Sequence, residues 1–396
     1  MRDHETHRIG LPRLVVKLGW ISFFTDIASE MIYPIMPLFL TTVLGASRTN
    51  VGMIEGFAEL INGLLKGWSG VHSDKTRRRT PYIQAGYFLG NIGKPLMAFA
   101  PNWFAALAIR SADRLGKGLR TSSRDAMIAD VVTPETKGRA FGFHRSMDNA
   151  GGFVGVLLGA GLLYWLPGNF KAIFLIAGIP GAAAVAITFL LKDAKRESVE
   201  APETTKWQRI SGLPLAFWVS VGLCALFAFA NSSDAFLFLR ANQAGLSTLQ
   251  VQLVYALFNL VYVVSAYPFG ILSDRIGRWP VLAGGWVLYA LCYLGFGFLG
   301  GAWMPLLFAI YGIQMGATQG VGAALMADHA KGNTKGTVMG IYYMTCGLMS
   351  LMGSLTLGWL WDRSGSLVAF GVPSAVALIS VVLIPLTSSA RRPKMS

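Results

Sequence analysis

The amino-acid sequence predicts an all-α membrane protein whose helices form two equivalent bundles. Three observations carry that expectation: an apolar composition, long apolar runs that recur in two halves, and two matching polar turns about two hundred residues apart. Of 396 residues, 53% are hydrophobic and only 14% are charged, more apolar surface than a soluble chain of this size holds. The formal net charge is +14, which in a soluble protein would suggest nucleic acid. Here most cations fall between apolar runs, where they fit cytoplasmic loops, so no nucleic-acid partner is expected.

A helix crossing a bilayer needs about 20 largely apolar residues. Twelve stretches qualify. Spans 1 to 6 are 14–43, 50–72, 81–100, 103–124, 139–165 and 171–191; spans 7 to 12 are 214–239, 248–271, 279–299, 303–327, 336–361 and 366–388. If the chain begins inside, and Lys17 is counted with the segment before span 1, the cytoplasmic segments carry 22 Lys and Arg. The outer loops carry four: Arg48, Lys171, Arg240 and Arg363. That bias puts both termini in the cytoplasm. Met1 to Pro12 is polar and lacks the apolar core of a signal peptide, so span 1 is expected to stay in the mature protein. One long polar segment divides the chain into a bundle at 1–191, a cytoplasmic linker at 192–213 and a bundle at 214–396.

The halves echo each other in sequence. Gly70 to Arg79 and Gly270 to Arg278 each open with glycine, place aspartate four residues on and follow it with a cation. A glycine there lets a neighbouring helix approach closely. Asp74 can pair with a cation or with the positive end of an adjoining helix, latching two helices on the cytoplasmic side. A solvated basic loop is the plainer alternative for either copy alone. A second repeat aligns 126–142 with 324–340, seven of seventeen positions being identical, among them Asp130 with Asp328. A looser match sets Ala28-Ser29-Glu30 on Ser232-Ser233-Asp234. Two bundles that both start inside make a parallel repeat, an arrangement that surrounds a central site reached alternately from each side.

The turn residues Gly70, Asp74, Lys75, Arg78 and Arg79, with Gly270, Asp274, Arg275, Gly277 and Arg278, resemble the loop between helices 2 and 3 of the major facilitator superfamily of secondary transporters. The resemblance covers Gly10 to Leu386, although Arg77 stands where that pattern has glycine. It implies the superfamily's twelve-helix fold and rocker-switch alternating access, with no covalent chemistry and no nucleotide hydrolysis.

Ionisable side chains cost about 2.5 to 3.5 kcal/mol each at mid-bilayer on the insertion scale, so they face a bundle interior or a cavity. The first half holds Asp26, Glu30, Glu55, Glu59, Lys66, Lys94, Arg110, Asp113, Arg114, Lys117, Arg145 and Asp148; the second offers little beyond Asp234. Asp26 and Glu30 lie four apart, on one face of span 1, and two neighbouring buried acids suit a protonation switch. Asp26 is the deeper, and the simpler alternative is a static pair with an arginine of span 4. Arg110, Arg114 and Lys117 form one cationic stripe on span 4, with Asp113 beside them. This stripe resembles the superfamily's arginine-glycine pattern, in which an arginine is held near the coupling acid; Arg114 and Gly118 fit best, with Arg110 the other candidate. A static charge network and a site for an anionic substrate both remain open. In span 5, Gly151, Gly155 and Gly159 permit close helix contact. Gly155 with Gly159 resembles the signature of the antiporter branch, except that Val156 replaces its proline. Arg145 and Asp148 are expected to pair within that helix.

The second half supplies polar and aromatic candidates for holding an amphipathic ligand: Asn231 and Asp234 on span 7, Tyr255, Asn259 and Tyr262 on span 8, Gln314 and Gln319 on span 10, and Tyr342 and Tyr343 on span 11. Packing is the plainer role of any one aromatic among them. Cys224, Cys292 and Cys346 lie in apolar spans without paired spacing and read as packing residues. Met344, Met349 and Met352 do not make a soft-metal ladder. His72, His144 and His329 fall at the cytoplasmic margin, where a solvated histidine is the default.

The expectation from all of this is a multi-pass protein of the bacterial inner membrane: a proton-driven transporter exporting a small organic compound by antiport. Asp26 and Glu30 would take up protons, Arg110 or Arg114 would respond, and Asp74 would latch the closed state. Movement of an organic anion or a sugar-type substrate in either direction is the alternative; metal transport and a non-transporting membrane sensor stand further off. The expected partners are a small-molecule substrate, protons and membrane lipid, with the chain a monomer and with no cofactor or metal. No Ser-His-Asp order, metal-ligand cluster or phosphate-cradling glycine loop points to an enzyme.

Overall fold

The computed structural model describes residues 11–76, 78–193, 213–329 and 335–386. Most of the expected linker, the polar N-terminus, Arg77 and the end of the basic tail lie outside the described residues. All regular elements among the described residues are helices.

The first expected span of each half is discontinuous. Span 1 divides into α1 (Arg13–Glu30) and α2 (Met36–Thr42). Pro34 sits in the intervening turn, where it has no N–H to give and its ring collides with the preceding helical carbonyl. In the second half, residues 231–234 separate the helix Leu215–Ala230 from the helix Ala235–Gln243. That segment is Asn-Ser-Ser-Asp, whose short polar side chains compete for backbone hydrogen bonds. The Ser233 hydroxyl accepts the Ala235 amide at 3.3 Å, and the Ser233 amide donates to Ser354 Oγ at 3.1 Å.

Several helices begin on borrowed or local caps. The helix α3 (Arg48–Thr76) starts against Asp362, which accepts from the amides of Arg48 (3.1 Å) and Thr49 (2.8 Å) and from the Thr49 hydroxyl (2.7 Å). A carboxylate at a helix N-terminus satisfies orphan donors and meets the positive end of the dipole. Asp193 serves α4 (Thr80–Met97) in the same way, accepting from Arg79 N, Thr80 N and Thr80 Oγ1 at 2.9 Å each. Asn102 caps α5 (Trp103–Asp130), a Thr133 and Thr136 capping box opens α6 (Pro134–Trp165), and Asn169 caps α7 (Phe170–Thr188).

The second half continues with α8 (Leu215–Ala230), α9 (Ala235–Gln243), α10 (Thr248–Ile276), α11 (Arg278–Phe298), α12 (Met304–Asp328) and α13 (Lys335–Val382). Spans 11 and 12 are thus two helical segments of α13 that meet at a kink at Gly365, whose φ of +79° only glycine takes at little cost. Among the described residues six segments are long and apolar enough to cross a membrane: 139–165, 170–188, 215–243, 248–276, 278–298 and 338–382.

By packing, the chain divides into two compact units, one of residues 1–45 with 61–199 and one of 46–60 with 200–396. The first turns of α3 therefore belong to the second unit. Within the first unit α1 packs on α6 and α7, and α4 on α5 and α7, around Val15, Leu18, Ile21, Ile83, Tyr87, Met127 and Ile128. Within the second, α8 packs on α13, α10 on α12, and α11 on both α12 and α13. The first and fifth spans of each half are thus partners in both units. Glycine makes the contact close in each: Gly155 of α6 faces the Ile27 backbone of α1, and Gly353 of α13 faces the Phe229 carbonyl of α8.

Candidate functional site

The intramembrane charges of the first unit converge. Asp26 and Glu30 occupy the last two turns of α1, both half-buried, and the charged groups around Asp26 are Asp148, Arg120, Glu30 and Lys117. On α5, Arg110 Nη1 lies 3.3 Å from Asp113 Oδ2 and Arg114 Nε lies 3.9 Å from the same oxygen. Arg110 also stands over the Tyr33 ring, 5.9 Å from its centre. Asp113 therefore gathers the two arginines singled out in the sequence. Gly118 matters here because a side chain there would strike Leu65 of α3, its Cβ 2.7 Å from that of Leu65.

Three cations join this cluster that the stripe of Arg110, Arg114 and Lys117 did not include. Lys94 of α4 is 4% exposed and donates to Gly90 O (2.6 Å) and to Asn91 Oδ1 (3.0 Å), and Asn91 Nδ2 in turn donates to Thr25 Oγ1 (3.3 Å). Arg120 lies on the face of Tyr87, 4.3 Å from the ring centre, and its Nε and Nη1 are buried without a hydrogen-bond partner. Arg124 pairs with Asp125 at 2.9 Å. The signal was present, since Arg120 and Arg124 continue the spacings of three and four along α5. Lys94 stands among the ionisable residues of the first half, but nothing in its spacing ties it to the α5 stripe.

The expectation that His144 is solvated is wrong. It is 4% exposed, its Nε2 is 2.9 Å from Ser22 Oγ, and its Nδ1 is 3.7 Å from Asp148 Oδ2. Ser22 Oγ also contacts Tyr87 OH at 3.1 Å and accepts from Arg124 Nη1 at 3.3 Å. His144 lies on the face of α6 that packs on α1, so helix rotation, not distance from the helix end, decides its environment. A serine, a histidine and an aspartate thus meet, but Ser22 is 2% exposed and engaged by three neighbours, so no substrate carbonyl can reach it. The expected pair of Arg145 and Asp148 is present at 4.0 Å, with Arg145 at the exposed edge.

In the second unit the break between α8 and α9 gathers polar groups. Tyr311 OH donates to Asp234 Oδ1 at 2.7 Å and contacts Asn231 Oδ1 at 3.4 Å. Tyr289 donates to Ala230 O at 2.6 Å and stacks on Tyr293, their centres 4.0 Å apart. Tyr289, Tyr293 and Tyr311, all fully buried, were not anticipated. Tyr255 is buried between Phe238 and Phe258, and Asn259 spends its amide on the Tyr255 carbonyl of its own helix. Tyr262 donates to Gln319 on α12. Gln314 is fully buried, donates to Thr318 Oγ1 at 3.0 Å and leaves its Oε1 without a partner. Tyr342 stands instead with Cys346 and Cys224, away from the Asp234 group. Asn231 and Asp234 are thus brought together, Tyr255, Asn259 and Tyr262 share one helix, and Tyr342 is apart.

The two polar turns build the same network twice. Arg79 Nε donates to Asp130 Oδ2 at 2.6 Å and its Nη1 to Ser73 Oγ at 3.3 Å. In the second copy Arg278 Nε donates to Asp328 Oδ2 at 3.3 Å and its Nη1 to Ser273 Oγ at 2.7 Å and to Asp274. The two sequence repeats are therefore in contact with each other, each turn holding the aspartate at the end of α5 or α12. By alignment Arg278 matches Arg78, yet Arg78 is exposed and Arg79 takes the role. Three residues separate α3 from α4, whereas Gly277 alone, at φ +94°, separates α10 from α11; without that glycine the first turn needs two more residues. The side chains of Asp74 and Lys75, and the surroundings of Gly70, lie outside the described residues. Around the second copy is a cavity of about 730 Å³ lined by Ser273, Asp274, Arg278, Trp279, Asp328 and His329. Gly270 and Arg275 do not line it.

Comparison with known proteins fits this geometry. Residues 18–353 and 235–396 match the model of the Major Facilitator Superfamily. An MFS-type transporter of Methanocaldococcus jannaschii is 34% identical over 390 residues, which are 97% of this chain and 96% of that one. The multidrug resistance protein MdtH of Salmonella is 23% identical over 345 residues, 85% of this chain and 84% of that one. Among solved structures, a POT peptide transporter superposes with a TM-score of 0.79 at 14% identity, covering 98% of this chain and 96% of that one.

Proposed function

The chain belongs to the major facilitator superfamily and is a membrane transporter, not an enzyme; from that premise we propose that it is a proton-coupled antiporter that exports a small amphipathic organic compound. In this reading twelve spans cross a bacterial inner membrane with both ends in the cytoplasm, as the 22 to four bias of cations favours. Transport would then proceed by the rocker-switch alternating access that the family resemblance implies.

The observation that carries the coupling is the position of Asp26. A carboxylate in the bilayer region, with Asp148 and Glu30 for acidic neighbours and Arg120 and Lys117 for basic ones, has opposed charges that balance differently in its two protonation states. Protonating it releases Arg120 and Lys117 from one counter-charge; deprotonating it restores the pull. The substrate would be held by Asn231, Asp234, Tyr255, Asn259, Tyr262 and Gln314, with Tyr342 further from the group. The ion pairs of Arg79 and Arg278 would brace the cytoplasmic turns in which Asp74 and Asp274 act as latches. The resemblance to MdtH supports export. A second reading, transport of an organic anion, is favoured by the buried, unpartnered donors of Arg120.

The test begins with thermal stabilisation of the purified protein against drugs, sugars, siderophores and organic acids. The stabilising compound is then followed in proteoliposomes under an imposed pH gradient. Gradient-driven accumulation that Asp26→Asn abolishes while binding persists supports proton antiport. Flux indifferent to the gradient overturns it, and loss of binding in Arg120→Gln alone supports the anion reading.

A further inference from the structure

The seam between α1 and α6 carries protonatable groups at four-residue intervals on both helices. The two helices run parallel, so that Ser22 meets His144 at 2.9 Å, Asp26 has Asp148 among its charged neighbours, and the Glu30 side chain lies against Gly152. Asp148 connects two of these rungs. It acts on Asp26 on one side and lies 3.7 Å from His144 Nδ1 on the other, and its Oδ1 is buried without a hydrogen-bond partner.

The surroundings of His144 accommodate both of its protonation states. In the neutral ring that can take up a proton, Nε2–H donates to Ser22 Oγ, which also accepts from Arg124 Nη1 and donates to Tyr87 OH, and Nδ1 is the bare acceptor facing Asp148. In the imidazolium Nε2 keeps that donation and Nδ1 gains the proton. Nδ1–H then faces the Asp148 carboxylate. The charged groups around the ring are Arg124 and Asp125 from α5 and Asp148 and Arg145 from α6; α1 and α4 contribute the hydroxyls of Ser22 and Tyr87. A buried structural histidine does not need a carboxylate with an idle oxygen beside its second nitrogen.

We propose that His144 and Asp148 form a second protonation site, which takes the proton given up by Asp26 and holds it before release to the cytoplasm. This rests on the proton-coupled reading above. The Asp26 carboxylic acid gives its proton to the Asp148 carboxylate, becoming a carboxylate itself. Asp148 passes the proton to His144 Nδ1, leaving an imidazolium facing a carboxylate. The proton leaves at the Asp148 edge beside Arg145, whose side chain is 69% exposed. No other atom changes hands. On the proposed orientation the N-terminal ends of α1 and α6 face the cytoplasm, so the transfers from Asp26 to Asp148 and from Asp148 to His144 carry the proton inward.

Transport of an unidentified substrate is not needed to test this. The full chain, with its three cysteines replaced and two spin labels on the cytoplasmic ends of α6 and α13, is reconstituted in nanodiscs, and the label distance is measured across pH 4 to 9. The wild type is expected to switch between two distances, Asp26→Asn to lose the switch, and His144→Gln and Asp148→Asn each to move its midpoint by about half a pH unit or more. If both variants keep the wild-type midpoint while Asp26→Asn still loses the switch, the second site is refuted and the coupling reading survives. A wild type with no switch overturns both. Should His144→Gln not fold, Ser22→Ala, which keeps the imidazole and removes the acceptor of its proton, is expected to move the midpoint, and an unmoved midpoint there refutes the site equally.

Discussion

Replacing Gly155 by alanine tests the seam on which both proposals depend. A Cβ at Gly155 would lie 2.6 Å from the Ile27 carbonyl oxygen and 2.9 Å from Ile27 Cα, both backbone atoms that cannot swing aside. To bring 2.6 Å to an ordinary contact of 3.4 Å, α1 and α6 must part locally by about 0.8 Å. Overpacking of this kind costs about 1 to 3 kcal/mol. The same opening applied to the Ser22 and His144 contact would stretch it from 2.9 Å to about 3.7 Å, beyond a hydrogen bond. Gly142→Ala and Gly161→Ala are the controls: both lie on α6, and a Cβ at either meets nothing within 4 Å. They are expected to be neutral or to gain up to about 1 kcal/mol from helix propensity. The assay is thermal unfolding of the purified protein in detergent, followed by intrinsic fluorescence, with a drop of roughly 2 to 6 °C for Gly155→Ala. Equal midpoints for Gly155→Ala and Gly161→Ala would mean that α1 and α6 do not touch through their backbones, and the packing argument would fall with them.

Other outcomes follow from single contacts. Arg79→Ala should destabilise by about 2 kcal/mol, because Asp130 and Ser73 lose a charged donor, whereas Arg78→Ala should stay within about 0.5 kcal/mol; the reverse order in thermal unfolding would restore the alignment-based pairing of Arg78 with Arg278. Asp362→Ala removes the cap of α3 and should cost about 1 kcal/mol, seen as faster hydrogen exchange at the amides of Arg48 and Thr49 than in wild type; unchanged exchange there would count against the cap. Tyr311→Phe leaves the ring packing and deletes the donor to Asp234, so a loss of about 1 to 2 kcal/mol is expected, with no loss if water replaces the hydroxyl freely.

Much of this protein was legible in one dimension. Bilayer thickness sets the length of an apolar run, so an all-helical, membrane-embedded chain and its family could be read along the sequence. The turn repeat and the match of Asp130 with Asp328 were legible for the same reason, as each is a local pattern. Even the breaks at Met31–Ile35 and Asn231–Asp234 carried signals, a proline in one and a run of short polar residues in the other.

The partners of each charge were not legible, because they depend on how far each helix is rotated and on which distant segment lies against it. One residue changes that rotation by about 100°. This is why His144 is buried against Ser22 while Arg145 beside it is exposed, whereas the longer turn between α3 and α4 is why Arg79, not Arg78, reaches Asp130. The sequence by itself determined a membrane-spanning, twice-repeated helical chain, since hydrophobic length and charge bias need no partner to be expressed. Only the tertiary structure decided that Asp26 answers to Asp148 and Arg120, since those groups are far apart in the chain and are brought together by the packing of α1, α5 and α6.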